Sequence, residues 1–402
     1  MKLIVLGDPH FGGGYALGRI DPYKQVNTRL LDHSKTFDRV VDFAVEHDVQ
    51  HLVLTGDIYE HRRPEASQMA VFSEKLARLS ELGIHTHIVA GNHDIVRAHK
   101  TTTMDKFRLL KLPLVHVYND IGSFKCQEPD GRGTNIVFLP FRTRQMLQCW
   151  SNEDAVAFLR DRLELEVRDL GNDNPTILVG HLALQGAKQH GGPLEEHAIF
   201  DIVLPISMFG DFDAVLMGHI HPFQLISEDP LVAHVGSMER TDFGEAGQPK
   251  VFAFIEVLGK KLAWEFVPLP VKPLHDLLID KSTEPPATLM DSIRQWIRDY
   301  GSKHALINSI ARVDIMVGEA AAHAVDTGEI MKFMIRDMGV SHCVGVHATA
   351  LSKRQLRDST ITEKTDKHAA LIKWLELNIE DPGMREEMRK AGFMIMDGRG
   401  NG

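Results

Sequence analysis

Cysteine is scarce in this sequence, and long apolar runs are absent. Its three cysteines, Cys126, Cys149 and Cys343, are widely spaced and form no CxxC pair. This pattern implies neither a disulfide framework nor a cysteine-ligated zinc site, so we expect buried free thiols. No apolar run approaches the ~20 residues of a membrane helix, and the chain begins with an apolar strand rather than a secretion signal. We therefore expect a cytoplasmic protein without a membrane span.

An excess of positive charge is also missing. The 402 residues include 45 basic and 55 acidic side chains, which leaves a formal net charge of -10. This balance argues against a protein that binds nucleic acid over its whole surface, so any DNA contact must be local. The length exceeds the size at which one core stops growing, which indicates two or more domains.

Five short apolar segments each end in residues that commonly bind metals. In open α/β sheets, side chains at the carboxyl ends of the strands meet at one edge, where binding sites form. The candidates, in chain order, are Asp8 and His10 after residues 3–6, Asp57 after 52–54, Asn92, His93 and Asp94 after 84–89, His181 after 177–180, and His219 and His221 after 214–218.

Helical patterns alternate with these segments. Phe37, Val40, Val41 and Ala44 are spaced as one buried helical face and predict a helix over about residues 34–47. A second helix is predicted over about 65–82 and a third over about 153–169. The alternation of strand and helix indicates an α/β fold with parallel strands.

The rest of the chain predicts two further regions. Strands at 250–257 and 262–267 are joined like a hairpin at Gly259 and Lys260, and a run of prolines then marks a boundary. We expect a first domain over residues 1–270, a small α+β domain over 271–350, and a polar linker with C-terminal helices over 351–402. In the last region Leu371, Ile372 and Leu375 form an apolar stripe.

The ligand candidates are too many for one ion. Asp, Asn and His donors suit Mn²⁺, iron or Zn²⁺ in an expanded coordination shell. Two ions that share a carboxylate can activate a water and clamp the oxygens of a phosphoryl group. We expect Asp57 to be the bridge, with one ion held by Asp8, His10 and His221 and the other by Asn92, His181 and His219.

His93 is left without a metal in this scheme. We predict that it acts on the transition state, stabilising it and protonating the leaving oxygen. We expect Asp94 to hold its imidazole. Basic residues beside the ligand loops are candidates for DNA phosphate contacts: Arg29 after the first loop, Arg62 and Arg63 after the second, and Arg97 after the third.

These motifs resemble the calcineurin-like metallophosphoesterases. The resemblance covers roughly residues 1–225 and rests on Asp8-x-His10, Gly56-Asp57, Gly91-Asn92-His93-Asp94, Gly180-His181 and Gly218-His219-Ile220-His221. It implies a sandwich of mixed sheets flanked by helices, and phosphoester hydrolysis at a two-metal site.

Further motifs resemble the SbcD family of DNA double-strand-break nucleases. They are Asn27-Thr28-Arg29-Leu30 before the first helix, Gly236-Ser237-Met238-Glu239-Arg240, Phe243-Gly244-Glu245, and Lys250. The resemblance implies an Mn²⁺-dependent exonuclease on duplex ends and endonuclease on single strands or hairpins. It also implies a homodimer, an SbcC-type coiled-coil ATPase partner, a DNA-capping domain over 271–350, and ATPase docking through the C-terminal helices.

Two other functions remain open from the sequence. A phosphoesterase acting on small phosphodiesters or phosphoproteins would carry the same ligands. A scaffold that has lost its chemistry would keep the fold alone.

Overall fold

The computed structural model describes residues 1–96, 101–127, 133–171, 173–189, 192–193, 202–351, 367–379 and 381–396. The strands, in chain order, are β1 (Lys2–Leu6), β2 (His51–Leu54), β3 (His85–Val89), β4 (Ile95–Val96), β5 (Thr101–Thr102), β6 (Val115–Tyr118), β7 (Gly122–Gln127), β8 (Gly133–Leu139), β9 (Thr176–Gly180), β10 (Ala183–Leu184), β11 (Lys188–Gln189), β12 (Gly192–Pro193), β13 (Val203–Leu204), β14 (Ala214–Met217), β15 (Gln224–Glu228), β16 (Leu231–His234), β17 (Val251–Leu258), β18 (Lys261–Pro268), β19 (Leu274–Lys281), β20 (Ile310–Gly318) and β21 (His342–Leu351). The helices are α1 (Thr28–Glu46), α2 (Ala66–Glu81), α3 (Asp105–Leu109), α4 (Arg144–Leu147), α5 (Asn152–Leu170), α6 (Leu289–Gly301), α7 (Thr327–Arg336), α8 (Lys367–Asn378) and α9 (Pro382–Met396).

Two six-stranded mixed sheets form the main body. The first has the order β18-β17-β1-β2-β3-β6, and its last four strands are parallel. The second has the order β15-β16-β14-β9-β8-β7, with β16, β14, β9 and β8 parallel. The antiparallel additions are β17 and β18 in the first sheet and β7 and β15 in the second. Parallel strands bring their carboxyl ends to one edge of each sheet, where the predicted ligands follow.

The inner faces of the two sheets share one core. Val5 and Val53 of the first sheet pack in the same fully buried cluster as Phe138 and Val179 of the second. Helices α1 and α2 cover the outer face of the first sheet, and α5 covers that of the second. The predicted α/β class, with mixed sheets flanked by helices, is confirmed.

Helix α1 starts earlier than the sequence predicted. It begins at Thr28, and the side chain of Asn27 caps it by accepting from the backbone N–H of Arg29. Its first two turns bury Arg29, Asp32 and other polar residues, so hydrophobic periodicity alone missed them. The motif Asn27-Thr28-Arg29-Leu30 therefore forms the cap and first turn of α1 rather than preceding the helix.

The chain divides into two compact units. The first contains residues 1–276, 306–311 and 340–344, and the second contains residues 277–305, 312–339 and 345–402. Strands β19, β20 and β21 form a three-stranded sheet, and α6 and α7 bury Ile293 and Phe333 among other residues. The strands and helices expected for the small α+β region are thus present, while the boundaries at residues 270 and 350 stay predictions.

The C-terminal helices α8 and α9 pack against each other. The ring of Phe393 lies edge-on to His368 with centroids 4.5 Å apart, and Leu375 of the predicted apolar stripe is buried. Most of the predicted polar linker lies outside the described residues. No helix in the described part of the chain is long and apolar enough to cross a membrane. Cys126 and Cys343 are buried, as expected, whereas Cys149 is half-buried.

Candidate metal centre

The predicted ligands converge at the carboxyl ends of the parallel strands. Asp8, Asp57 and His181 offer donor atoms that all lie within 4.8 Å of one another, and so do Asp8, His10 and His221. Asp8 belongs to both groups and joins ligands that follow the first sheet to ligands that follow the second. The sandwich therefore brings residues that lie far apart in the sequence into one cluster.

The backbone at the site is unusual. His10, Asp57 and His219 have φ values of 44°, 46° and 81°, in the left-handed region that residues other than glycine seldom adopt. Such conformations cost about 1–3 kcal/mol each and persist where the surrounding structure enforces them. Three predicted ligands share this feature, which marks the strand ends as a functional site.

Glycines allow the ligand loops to approach closely. A Cβ atom on Gly91 would collide with the carboxylate of Asp57, and one on Gly218 would collide with that of Asp8. These two glycines precede the ligands Asn92 and His219 in the sequence. Any side chain at either position would displace a carboxylate of the cluster.

The histidines of the first predicted ion site face each other. Nε2 of His10 lies 3.0 Å from Nε2 of His221 and 3.7 Å from Oδ2 of Asp57. Asp8 is fixed next to them, because its Oδ1 accepts from Oγ1 of Thr55 at 2.7 Å and its Oδ2 from the backbone N–H of His219 at 2.7 Å.

The second predicted ion site is built around Asn92. Its Oδ1 lies 3.0 Å from Nε2 of His181 and 2.9 Å from Nδ1 of His219. Oδ2 of Asp57 lies 3.3 Å from Nε2 of His181, so the Asp57 carboxylate faces both groups of ligands. This is the position that a bridging ligand requires.

Hydrogen bonds at Nδ1 orient the imidazole rings of His181 and His221. Nδ1 of His181 lies 2.9 Å from the backbone oxygen of Thr55, and Nδ1 of His221 lies 2.9 Å from Oε1 of Glu245. A carbonyl or carboxylate oxygen can only accept, so Nδ1 donates in both rings, and Nε2 is the nitrogen that can bind a metal once it carries no proton. Metal-binding histidines are held in this way.

The charges around Asp57 keep its carboxylate ionised, as binding of a cation requires. Burial alone would raise the pKa of Asp57, but the charge and hydrogen bond of His181 and the charges of His10 and His93 outweigh burial and lower it. Asp57 is therefore ionised at neutral pH, as a bridging ligand must be. Burial, together with the charge of Asp57, raises the pKa of Asp94.

The donor set fits two divalent ions. Ionised carboxylate, amide oxygen and neutral imidazole nitrogen are the ligands of borderline metals such as Mn²⁺, iron and Zn²⁺. Asp8, His10, Asp57 and His221 would hold one ion, and Asp57, Asn92, His181 and His219 the other.

Comparison with known proteins agrees with this geometry. The family described as calcineurin-like phosphoesterase matches residues 1–223, more than half of the chain. The chain belongs to the calcineurin-like phosphoesterases. It is therefore a metal-dependent phosphoesterase, a hydrolase that acts on ester bonds.

One relative of this phosphoesterase is the SbcD component of the nuclease SbcCD from Staphylococcus saprophyticus. It is 25% identical over 287 residues, which cover 69% of this chain and 70% of the relative. Among solved structures, a dimetal phosphatase from Danio rerio is 12% identical, with 67% of this chain and 96% of that chain covered and a TM-score of 0.42. TT1561 of Thermus thermophilus is also 12% identical, with 66% and 98% covered and a TM-score of 0.36.

The anchoring of His93 differs from the sequence prediction. Its Nδ1 contacts the backbone oxygen of Glu60 rather than Asp94. The two carboxylate oxygens of Asp94 instead accept backbone N–H groups, from Gly91 at 2.9 Å and from Ile58 at 3.1 Å. Asp94 thus ties the loop after β3 to the loop after β2, because its side chain turns into the protein and is fully buried.

The predicted DNA contacts have different environments. Arg62 donates to the backbone oxygen of Asn92 at 3.1 Å, and Arg63 is exposed. Arg97 lies outside the described residues. Arg29 is completely buried, pairing with Asp32 at 2.9 Å and with Glu239 at 3.0 Å, so the expectation that it contacts DNA is wrong.

Several residues of the site were missed by the sequence reasoning. Thr55 contacts both Asp8 and His181. Oε2 of Glu60 lies 3.2 Å from Nδ1 of His10, and the backbone oxygen of Glu60 contacts Nδ1 of His93. Thr55 and Glu60 are sequence neighbours of Asp57, which was the available signal. Glu245 lies 24 positions after His221 in a separate loop, and only the SbcD-like motif marked it.

Proposed function

We propose that this phosphoesterase is a metal-dependent DNA nuclease of the SbcD type, acting as an exonuclease on duplex ends and an endonuclease on single strands or hairpins. The observation that carries the proposal is the length of the match to the SbcD component of the staphylococcal nuclease. That match spans 287 residues, whereas the family match ends at residue 223. Part of the similarity therefore lies outside the domain that all phosphoesterases of the family share.

The site supports hydrolysis of a phosphodiester. Two divalent ions, when bound, would activate a water molecule and clamp the oxygens of the phosphoryl group. Asp57 would hold both ions at a fixed separation, while the other predicted ligands keep each in place. His93 would bind the phosphate as charge develops and give a proton to the leaving oxygen.

We propose Mn²⁺ as the ion at both positions. Mn²⁺ accepts oxygen ligands readily and binds imidazole as well, which matches a set that contains Asp, Asn and His. Zn²⁺ and iron would use the same donors, and cleavage rates of the metal-free chain supplied with each ion in turn distinguish the three.

The SbcD likeness extends the proposal to partners. We propose an SbcC-type coiled-coil ATPase as partner, a homodimer as the working form, and the cytoplasm as its location. Residues 271–350 would cap the DNA. Residues 351–402 would dock the ATPase, a role supported by Trp374, Met384 and Met388 in α8 and α9, which are 47%, 56% and 39% exposed.

Substrate choice tests the proposal. The purified chain, stripped of metal and supplied with Mn²⁺, is given linear duplex DNA, hairpin DNA or bis-p-nitrophenyl phosphate. We expect cleavage of DNA at rates well above those on the small diester, and none after chelation. Rapid hydrolysis of the small diester with intact DNA would instead assign the chain to the small-phosphodiester class.

A further inference from the structure

The ring of His221 is backed by a buried carboxylate. Its Nδ1 lies 2.9 Å from Oε1 of Glu245, and its Nε2 lies 3.0 Å from Nε2 of His10. An ionised carboxylate only accepts hydrogen bonds, so Nδ1 donates and the Nε2 lone pair faces the ligand cluster. Glu245 therefore determines both the tautomer and the orientation of this ring.

Glu245 is fixed through both of its oxygens. Oε1 also accepts from Oγ1 of Thr241 at 3.1 Å, and Oε2 lies 2.7 Å from Nζ of Lys250. Nζ of Lys250 also donates to Oγ of Ser237 at 2.7 Å and to the backbone oxygen of His221 at 3.2 Å. The ammonium therefore pairs with Glu245 and donates two hydrogen bonds, and Glu245 and Lys250 are both 2% exposed.

A buried ion pair contributes little net free energy to folding. Well-packed apolar residues in its place are often neutral or stabilising, because desolvation offsets the attraction. Glu245 and Lys250 both contact the predicted metal ligand His221, which gives the pair a possible role other than stability. The chain contains a second buried pair, Arg29 with Glu239, in which Glu239 contacts Arg29 and Thr36.

The two ion sites differ in how their histidines are supported. His181 donates to the neutral backbone carbonyl of Thr55, whereas His221 donates to a carboxylate. A carboxylate behind the ring raises the basicity of the imidazole as a ligand, and removing such a group typically costs about 10–100-fold in metal affinity. The support from Glu245 therefore strengthens the binding of the ion of Asp8, His10 and His221.

We propose that Glu245 is a positioning residue for the ion held by Asp8, His10 and His221, and that Lys250 supports it by pairing with Glu245 and by donating to the backbone oxygen of His221. The inference rests on the proposed function only for its two-ion site, because it requires bound ions and no DNA.

The first test is a titration of the metal-free full chain with Mn²⁺, followed by the electron paramagnetic resonance signal of the free ion. In Glu245→Gln we expect one of two ions to bind about 10–100-fold more weakly and the other as in the unchanged protein. Glu239→Gln is the matched control, since it removes an equally buried, paired carboxylate. Both ions should bind that control normally even if its melting temperature falls.

A double-mutant cycle separates positioning from a general structural effect. In a His221→Ala background the ring is gone, so Glu245→Gln should cause no further loss of affinity. Lys250→Met should weaken the same ion, because it removes the partner of Glu245 and the donor to the backbone oxygen of His221. Thr241→Val, a milder change that removes one hydrogen bond to Glu245, should weaken that ion a few-fold and serves if Glu245→Gln does not fold.

The outcomes are distinct. Normal binding of both ions by Glu245→Gln, equal weakening in Glu239→Gln, or an undiminished effect in the His221→Ala background would each overturn the inference. A wild-type chain that binds two ions but does not cleave DNA would count against the proposed nuclease and leave this inference standing. Fewer than two ions in the wild type would overturn both.

Discussion

Two contacts anchor His93. Its ring contacts the backbone oxygen of Glu60, and its backbone N–H donates to Oδ1 of Asp57 at 2.7 Å. The ring is therefore held by the loop after β2, next to the predicted bridge. This position is compatible with the role proposed for His93 on the substrate.

We expect His93→Ala to lower the rate of DNA cleavage by about 10²–10⁴, because a proton donor and a transition-state contact are lost. Both ions should stay bound, since the ring is not a predicted ligand. Metal content and single-turnover rate, measured on the same preparation, check this. Loss of an ion from the variant would contradict the role given to His93.

Asp57→Ala should have the opposite pattern. The Asp57 carboxylate faces the ligands of both ions, so its removal should weaken the two sites together rather than one of them. Metal titration of the purified variant measures this. Retention of one ion at its original affinity would show that Asp57 does not bridge.

The sequence predicted the ligand candidates but not the contacts that hold His93. Strand ends with Asp, His and Asn identified the ligand candidates because parallel strands share an edge. The anchoring of His93 by a backbone oxygen could not be predicted, because backbone acceptors carry no sequence mark. The sequence suggested Asp94 for that role only because the two residues are adjacent.

At the scale of elements, strands β2, β3 and β6 carry an imidazole network inside the first unit. Nδ1 of His51 lies 3.1 Å from Nε2 of His87, and Nδ1 of His85 lies 3.1 Å from Nε2 of His116. Burial, with the charges of His85 and His116, lowers the pKa of His51 to about 4, and burial also lowers the pKa of His87. The folded chain therefore keeps these rings neutral.

This network predicts a loss of stability in acid. In the unfolded chain a histidine has a pKa near 6.5. As the pH falls below that value, the unfolded chain therefore binds protons that the folded chain does not bind. The free energy of unfolding is therefore unaffected by these rings above about pH 6.5 and decreases as the pH falls toward 4, by roughly 1 kcal/mol for His51 at pH 5.5. Urea unfolding of the wild type and of His51→Gln at pH 7.5 and 5.5 measures it. The variant should lose less stability on acidification, and an equal loss would contradict the prediction.

The C-terminal helices support a prediction about docking. Leu375 is buried, while Trp374 of the same helix is 47% exposed and available to a partner. An exposed apolar side chain on a helix can be covered by a groove or by partner helices. The sequence located both helices through their apolar residues, but it could not identify which of those residues stay exposed.

Deletion of residues 352–402 should abolish association with an SbcC-type ATPase and leave hydrolysis of bis-p-nitrophenyl phosphate nearly unchanged. Co-purification with the ATPase and the rate on the small diester measure the two effects. If the truncated chain loses the basal hydrolysis or fails to fold, the tail belongs to the core and the docking proposal fails.

At the scale of the whole molecule, charge limits how this chain holds DNA. The formal net charge of -10 leaves only local basic residues for phosphate contact. The sequence placed Arg29 among them because it lies beside a ligand loop, and the fold buried it because Asp32 and Glu239 surround it. Tertiary pairing of this kind is invisible to local charge patterns.

DNA binding by the chain alone should be weak and should fall steeply with salt, because it rests on a few phosphate contacts. Replacing Arg63 by Ala should lower affinity for all sequences alike, since phosphate contacts carry no base information. Fluorescence anisotropy with two unrelated duplexes at several salt concentrations measures both effects. Tight binding that is insensitive to salt would contradict this account.

We propose that two ions bound at these strand ends together enable DNA cleavage. A titration of the metal-free chain with Mn²⁺, in which bound ions per chain and cleavage of a linear duplex are measured in the same samples, tests this. We predict that binding saturates at two ions per chain and that cleavage rises with the second. Saturation at one ion, or cleavage that is complete before a second ion binds, would contradict the account.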